Sequence, residues 1–255
     1  MRCPHPLVES IFATRTLPLA GGGTTPLDIF IPREEGDFLY RLVRENRPAC
    51  TVEIGMANGI STLFMAAALA ENGSGRHIAI DPFQTSDWKN VGLGLVRQAG
   101  LGDYVRLVEL PSHQALPDLE REGIQAELIF IDGAHLTDYV FADFLVSDKL
   151  LAVGGLAVFD DSDWPAVHTV MRYALANRDF EVAHPVVVIE PPPGWPSLAG
   201  KALRSLAGNL KYEHLLRGEV IQTAKQLGIE GRCVALRKRA DDDRNSQDRH
   251  AHHAF

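Results

Sequence analysis

Four side chains in this sequence are spaced for chemistry on oxygen: Asp132 and His135, and the adjacent pair Asp160-Asp161. Each acidic position ends an apolar run, Leu128-Ile129-Phe130-Ile131 leading into Asp132 and Leu156-Ala157-Val158-Phe159 into Asp160. Such runs predict parallel strands covered on both faces. Two neighbouring strands would then deliver three carboxylates to one sheet edge. Like charges held close are costly unless a cation or a proton neutralises one, so Asp132, Asp160 and Asp161 suggest a hard divalent ion, Mg2+ first, with calcium or manganese also acceptable. The competing reading makes Asp160 and Asp161 caps of a helix beginning near Trp164, and Asp132 the cap of the helix before it. An imidazole can take a hydroxyl proton near neutral pH, which makes His135 a candidate base; a metal ligand or a helix cap are its other uses.

The element that must position this edge is the stretch Cys50-Thr51-Val52-Glu53-Ile54-Gly55-Met56-Ala57-Asn58-Gly59-Ile60-Ser61-Thr62. It reads as a buried strand, a glycine turn and the start of a helix. Gly55 permits a positive φ where the strand breaks, and Gly59 permits close approach of backbone or ligand. A strand-glycine-helix junction aims free backbone N–H groups at whatever binds above the sheet. The Gly-x-x-x-Gly spacing departs from the dinucleotide fingerprint, and Glu53, just before the first glycine, can reach a cationic or hydroxyl-bearing ligand. Arg76-His77-Ile78-Ala79-Ile80 forms the next strand and ends in Asp81, about 20 residues beyond the turn, where a carboxylate can accept both hydroxyls of a ribose; capping the helix near Ser86 to Ala99 is its other use.

This pattern resembles motif I of the class I S-adenosylmethionine-dependent methyltransferases. Val52-Glu53-Ile54-Gly55 with Gly59-Ile60-Ser61-Thr62 is similar to the metal-dependent catechol and caffeoyl-CoA O-methyltransferase branch and to bacterial relatives acting on sugars and natural products. In that branch an Asp ends the fourth strand and an Asp-Asn or Asp-Asp pair ends the fifth, with a Trp close behind, which this chain matches at Asp132, Asp160, Asp161 and Trp164. The resemblance implies S-adenosyl-L-methionine as cofactor. It puts Glu53 at the methionine end, Gly55, Asn58, Gly59, Ser61 and Asp132 against the cofactor, Asp81 on the ribose, and Ser112 and His113 at the adenine. The ion would bind the acceptor hydroxyl, and His135 stands where catechol-type enzymes carry a Lys. Ala134 departs from relatives with a second acid there, which leaves the metal resting on three residues.

The resemblance implies an α/β fold, a Rossmann-like doubly wound sheet of seven mostly parallel strands with one antiparallel, and an insertion before the last strand. Residues 1–30 read as an N-terminal arm with a short helix around Leu7 to Thr14, and 31–239 as the methyltransferase domain. Within it 191–231 form a lid or oligomer contact, with Trp195, Tyr212 and Leu215 as apolar contacts, and 240–255 are a disordered polar tail. The chain has 255 residues, 45% hydrophobic and 23% charged, enough for one sizeable core. Lys+Arg 25 against Asp+Glu 33 leaves a net charge of −8, which disfavours nucleic acid and anionic membranes as partners. Cys3, Cys50 and Cys233 make no disulfide framework and fit a cytoplasmic setting. The expected partner is a small hydroxylated molecule, and a homodimer is the default assembly. The overall expectation is methyl transfer to a small-molecule hydroxyl; a metal-independent N- or carboxyl-methyltransferase and an inactive cofactor-binding module are the alternatives.

Overall fold

The computed structural model describes residues 1–187 and 224–244. The first stretch begins with α1 (Pro6–Thr14), β1 (Thr16–Pro18), β2 (Thr24–Pro26) and α2 (Arg33–Asn46). Then strands and helices alternate: β3 (Cys50–Ile54), α3 (Ile60–Asn72), β4 (Arg76–Ile80), α4 (Val91–Gln98), β5 (Val105–Val108), α5 (Ser112–Arg121), β6 (Ala126–Ile131), α6 (Thr137–Leu150), β7 (Leu151–Phe159), α7 (Pro165–Asn177) and β8 (Phe180–Val187). The second stretch holds α8 (Ala224–Leu227) and β9 (Cys233–Lys238).

Seven strands form one sheet in the order β5-β4-β3-β6-β7-β9-β8. β3 lies parallel to both β4 and β6, β6 is parallel to β7, and β9 runs antiparallel between β7 and β8. The order reverses direction between β3 and β4 on one side and β3 and β6 on the other, so a crevice opens beyond the carboxyl ends of β3 and β6. This is the sheet expected from the alternating pattern, with β9 as its one antiparallel strand.

Side chains alternate between two cores. Val52, Ile54, Ile129, Ile131, Ala157 and Phe159 pack with the α5, α6 and α7 side, while Leu128, Phe130, Leu156 and Val158 pack with α2 and α3. α3 is buried almost all round, because α2 crosses it closely. The crossing depends on Gly36: a Cβ there would come 2.2 Å from the Phe64 ring.

Residues 1–30 add the α1 helix and the β1–β2 hairpin to the same core. Val8, Ile11 and Leu17 are buried, and Phe12 stacks edge-on against both Phe30 and Phe64. α4 starts at Val91, later than the helix expected from Ser86, because residues 83–90 form turns held by Phe83 and Gln84 carbonyls. β7 starts at Leu151, earlier than expected, with a register shift opposite Ala126 and Leu128. Of the expected lid, only its last residues, with α8, are described. Trp195, Tyr212, Leu215 and the tail beyond Arg244 lie outside the described residues. Among the described residues no helix is long and apolar enough to cross a membrane.

Candidate active site

The β3–α3 turn is built by backbone strain and a buried carboxylate. Gly55 has φ +94, and a Cβ on it would lie 2.0 Å from the Asp132 carbonyl oxygen, so the turn presses against the end of β6. Gly59 has φ +75 and faces Gly92, whose Cα would be 2.8 Å from a Cβ there. Its requirement is therefore the approach of α3 to α4, rather than contact with a ligand. Asp81, at the end of β4, accepts the N–H groups of Met56 (3.1 Å) and Ala57 (2.8 Å) through Oδ2, and that of Phe83 (2.8 Å) through Oδ1. Gln84 adds a fourth donor at 3.2 Å. These bonds make Asp81 the brace of the turn and leave acceptor capacity for a ribose only on Oδ1.

Glu53 is fully buried. Its Oε2 accepts from Thr62 Oγ1 at 2.5 Å and lies 3.1 Å from His77 Nε2, whose Nδ1 contacts Thr51 Oγ1 at 2.8 Å. Glu53 Oε1 has no hydrogen-bond partner, so one oxygen ties strand to helix while the other is a buried, unused acceptor.

The edge of β6 and β7 gathers the expected acids, with two residues that the sequence reading passed over. Glu35, in the first turn of α2, is fully buried, and its carboxyl lies beside Asp160. Arg232, just before β9, spans the group: Nε donates to Glu35 Oε2 at 3.1 Å, Nη2 to Asp160 Oδ2 at 3.4 Å, and Nη1 pairs with Asp161 Oδ1 at 3.0 Å. The arginine is held there by backbone, since Ser162 N–H donates to the Arg232 carbonyl at 2.8 Å and Ser162 Oγ to that of Gly231. Burial pushes the Glu35 carboxyl well above the usual carboxylate range, and the neighbouring Asp160 adds to it. Asp132 is raised in the same way by burial and then by Asp160 and Glu53. Asp161 is raised less severely, because Arg232 and His135 oppose burial and Asp160. Burial works against the Arg232 charge, but Asp160, Asp161 and Glu35 outweigh it and hold the guanidinium protonated.

His135 Nε2 lies 3.2 Å from Asp161 Oδ2 and 3.5 Å from Asp132 Oδ1, out of line for a hydrogen bond with either, and its ring leans on Trp164 at 5.0 Å between centroids. Asp161 thus has one oxygen toward Arg232 and the other toward His135. Neither α6 nor α7 receives a side-chain cap, which removes the capping role considered for these acids.

A cavity of about 230 Å³ opens beside this edge, walled by the Gly55–Asn58 turn, Ser61, Asp132, Gly133 and His135, with Ile29 to Ile31 and Trp88 closing it. Asn58 is fixed by donating to the Ile29 carbonyl at 3.1 Å. Of the expected cofactor contacts, Gly55, Asn58, Ser61 and Asp132 line the cavity; Glu53, Gly59, Asp81, Ser112 and His113 do not. Ser112 is turned to Asp143, with His113 close by in the first turn of α5. Trp88 and Ile29 to Ile31 had no motif to reveal them.

The expected metal set does not fit an ion. Divalent cations need several oxygens converging at roughly 2.0–2.6 Å. Asp160 Oδ1 instead accepts Asp161 N–H at 2.6 Å, Oδ2 faces Arg232, and the Asp161 oxygens face Arg232 and the His135 imidazole. Among the described residues no group of three or more His, Cys, Asp or Glu side chains is arranged to hold a metal. Asp132, Asp160 and Asp161 are neighbours, as expected, but Asp160 and Asp161 are turned to a guanidinium.

Residues 52–162 match a family model described as a methyltransferase domain. The chain is 28% identical over 156 residues to a caffeoyl-CoA O-methyltransferase from Stellaria longipes, covering 60% of this chain and 59% of the relative. It is 26% identical over 158 residues to a catechol O-methyltransferase from Bos taurus, covering 60% and 56%. The alignments thus span little more than half the length of these curated relatives. A solved O-methyltransferase from Bacillus cereus, in complex with S-adenosylhomocysteine, superposes with a TM-score of 0.55 at 20% identity, covering 71% of this chain and 82% of that one. Over little more than half their length the caffeoyl-CoA and catechol O-methyltransferases are similar to this chain in sequence, and its sheet has the class I methyltransferase fold.

Proposed function

We propose that this protein transfers a methyl group from S-adenosyl-L-methionine to a hydroxyl oxygen of a small molecule, a sugar or natural product being the class that the sequence resemblance implies. The observation that carries the reading is the shared cavity: the glycine turn forms one wall, and Asp132 and His135 form another. The cofactor when bound supplies a methyl group already activated on a sulfonium. The backbone of the Gly55–Asn58 turn and Ser61 would hold its amino-acid end, with Glu53 Oε1 offering negative charge behind the turn. His135 lines the cavity and its Nε2 has no hydrogen-bond partner; it would accept the hydroxyl proton, and Asp161 and Asp132 would stabilise the imidazolium that results. The protein's remaining work is placement, since an oxygen aligned with the methyl gains most of what orientation can give.

Calorimetric titration of the EDTA-treated chain with S-adenosylhomocysteine tests this reading. Micromolar binding is expected, and hydroxylated acceptors would then gain one methyl by mass spectrometry. Absence of any binding overturns the proposal.

A further inference from the structure

We propose that Arg232 stands in for the divalent cation at the acidic edge of β6 and β7, so that this chain works without metal; the inference about turnover rests on the methyltransferase reading, whereas that about cation binding does not. Glu35, Asp160 and Asp161 come from α2 and the end of β7, and the guanidinium contacts all three at 3.0 to 3.4 Å. An arginine offers five donors in a fixed plane, suited to several carboxylates at once, and it cannot lose its charge. Its position is set independently of those contacts, by the two Ser162 bonds to Arg232 and Gly231 backbone and by the pairing of Val234 with Phe159 that follows at once in β9. The cation is therefore supplied by the fold.

Arg232 is a positioning residue in this scheme. It holds Asp161 Oδ1, which leaves Oδ2 facing His135 Nε2 at 3.2 Å. A metal at this edge would chelate the acceptor oxygen, which favours acceptors with two neighbouring oxygens; a guanidinium committed to three acidic side chains makes no such demand. The predicted acceptor needs one hydroxyl, placed by the cavity wall.

The test is Mn2+ titration of the full-length, EDTA-treated chain, followed by the electron paramagnetic resonance of free Mn2+, with Arg232→Met and Arg232→Lys beside the wild type. The wild type and Arg232→Lys should leave Mn2+ free, while Arg232→Met, with its carboxylates uncompensated, should bind one ion at least about tenfold more tightly. One tight Mn2+ per wild-type chain overturns the proposal. So does a folded Arg232→Met that fails to gain binding, because the arginine would then not be what occupies the cation's place. If Arg232→Met does not fold, the wild type and Arg232→Lys decide: tight binding by either overturns the proposal, and none in both upholds it. Titration with S-adenosylhomocysteine on the same samples reads the cofactor site separately, so its failure strikes the methyltransferase reading and leaves the cation result standing.

Discussion

Arg232 Nη1 and Asp161 Oδ1 face each other at 3.0 Å, and the other oxygen of Asp161 faces the imidazole of His135. One carboxylate therefore links a permanent cation to the candidate base. Asp161 also has φ +46, a left-handed conformation that non-glycine residues seldom adopt, so the strand end is bent to make this link. Asp161→Asn keeps the shape and removes the charge that would stabilise a protonated His135. We expect kcat to fall by about tenfold or more, with S-adenosylhomocysteine affinity unchanged. A variant with full kcat would remove Asp161 from the chemistry.

Gly55→Ala tests the wall that carries the site. The added methyl would collide with backbone, 2.0 Å from the Asp132 carbonyl, at a φ of +94 that already disfavours alanine. Relief requires moving either the turn or the end of β6. The expected cost is about 2–4 kcal/mol in chemical denaturation, together with loss of cofactor binding. Wild-type stability and affinity would mean that the turn relaxes freely and does not shape the cavity.

The strands were legible because parallel strands covered on both faces leave near-continuous apolar runs, as at Leu128 to Ile131, and the acids that end them were legible for the same reason. The glycine turn was legible because both glycines hold positive φ. Glu35 was not: it follows Glu34 in the first turn of a helix, where acidic residues are favoured at the surface by the helix dipole. Only the packing of α2 shows that Glu34 is exposed and Glu35 buried. Arg232 was hidden for a different reason. It lies far along the chain from Asp161, and an arginine before a strand has no local pattern that assigns it a partner. The clustered acids suggested a metal because Arg232, which pairs with Asp160 and Asp161, comes from so far along the chain.

Glu53 has two separable roles, one for each oxygen. Glu53→Ala leaves Thr62 and His77 without their buried acceptor and should cost about 2–3 kcal/mol in stability. Glu53→Gln retains an acceptor for both donors but removes the negative charge behind the turn. It should stay close to wild type in thermal stability while losing about tenfold in affinity for S-adenosylhomocysteine. Unchanged affinity in a folded Gln variant would confine Glu53 to the scaffold.

The buried acid Glu35 makes stability depend on pH in a direction opposite to the usual carboxylate. Its neighbours are Asp160 and Asp132, which disfavour its charge, and Arg232, which favours it; burial decides, and its folded pKa lies well above the ordinary value of 4.5. A group of this kind binds its proton more firmly in the folded state than in the unfolded chain. Its contribution is complete below the unfolded pKa and is lost as pH rises through the folded one. Denaturant midpoints should therefore fall as pH is raised above the ordinary carboxylate range. Glu35→Gln stays neutral throughout, keeps an acceptor for Arg232 Nε, and should show a shallower decline over the same interval. Asp132 and Asp161 are raised in the same sense, so the slope should diminish without vanishing. An identical slope in wild type and Glu35→Gln would show that Glu35 is ionised in the folded protein, held so by Arg232.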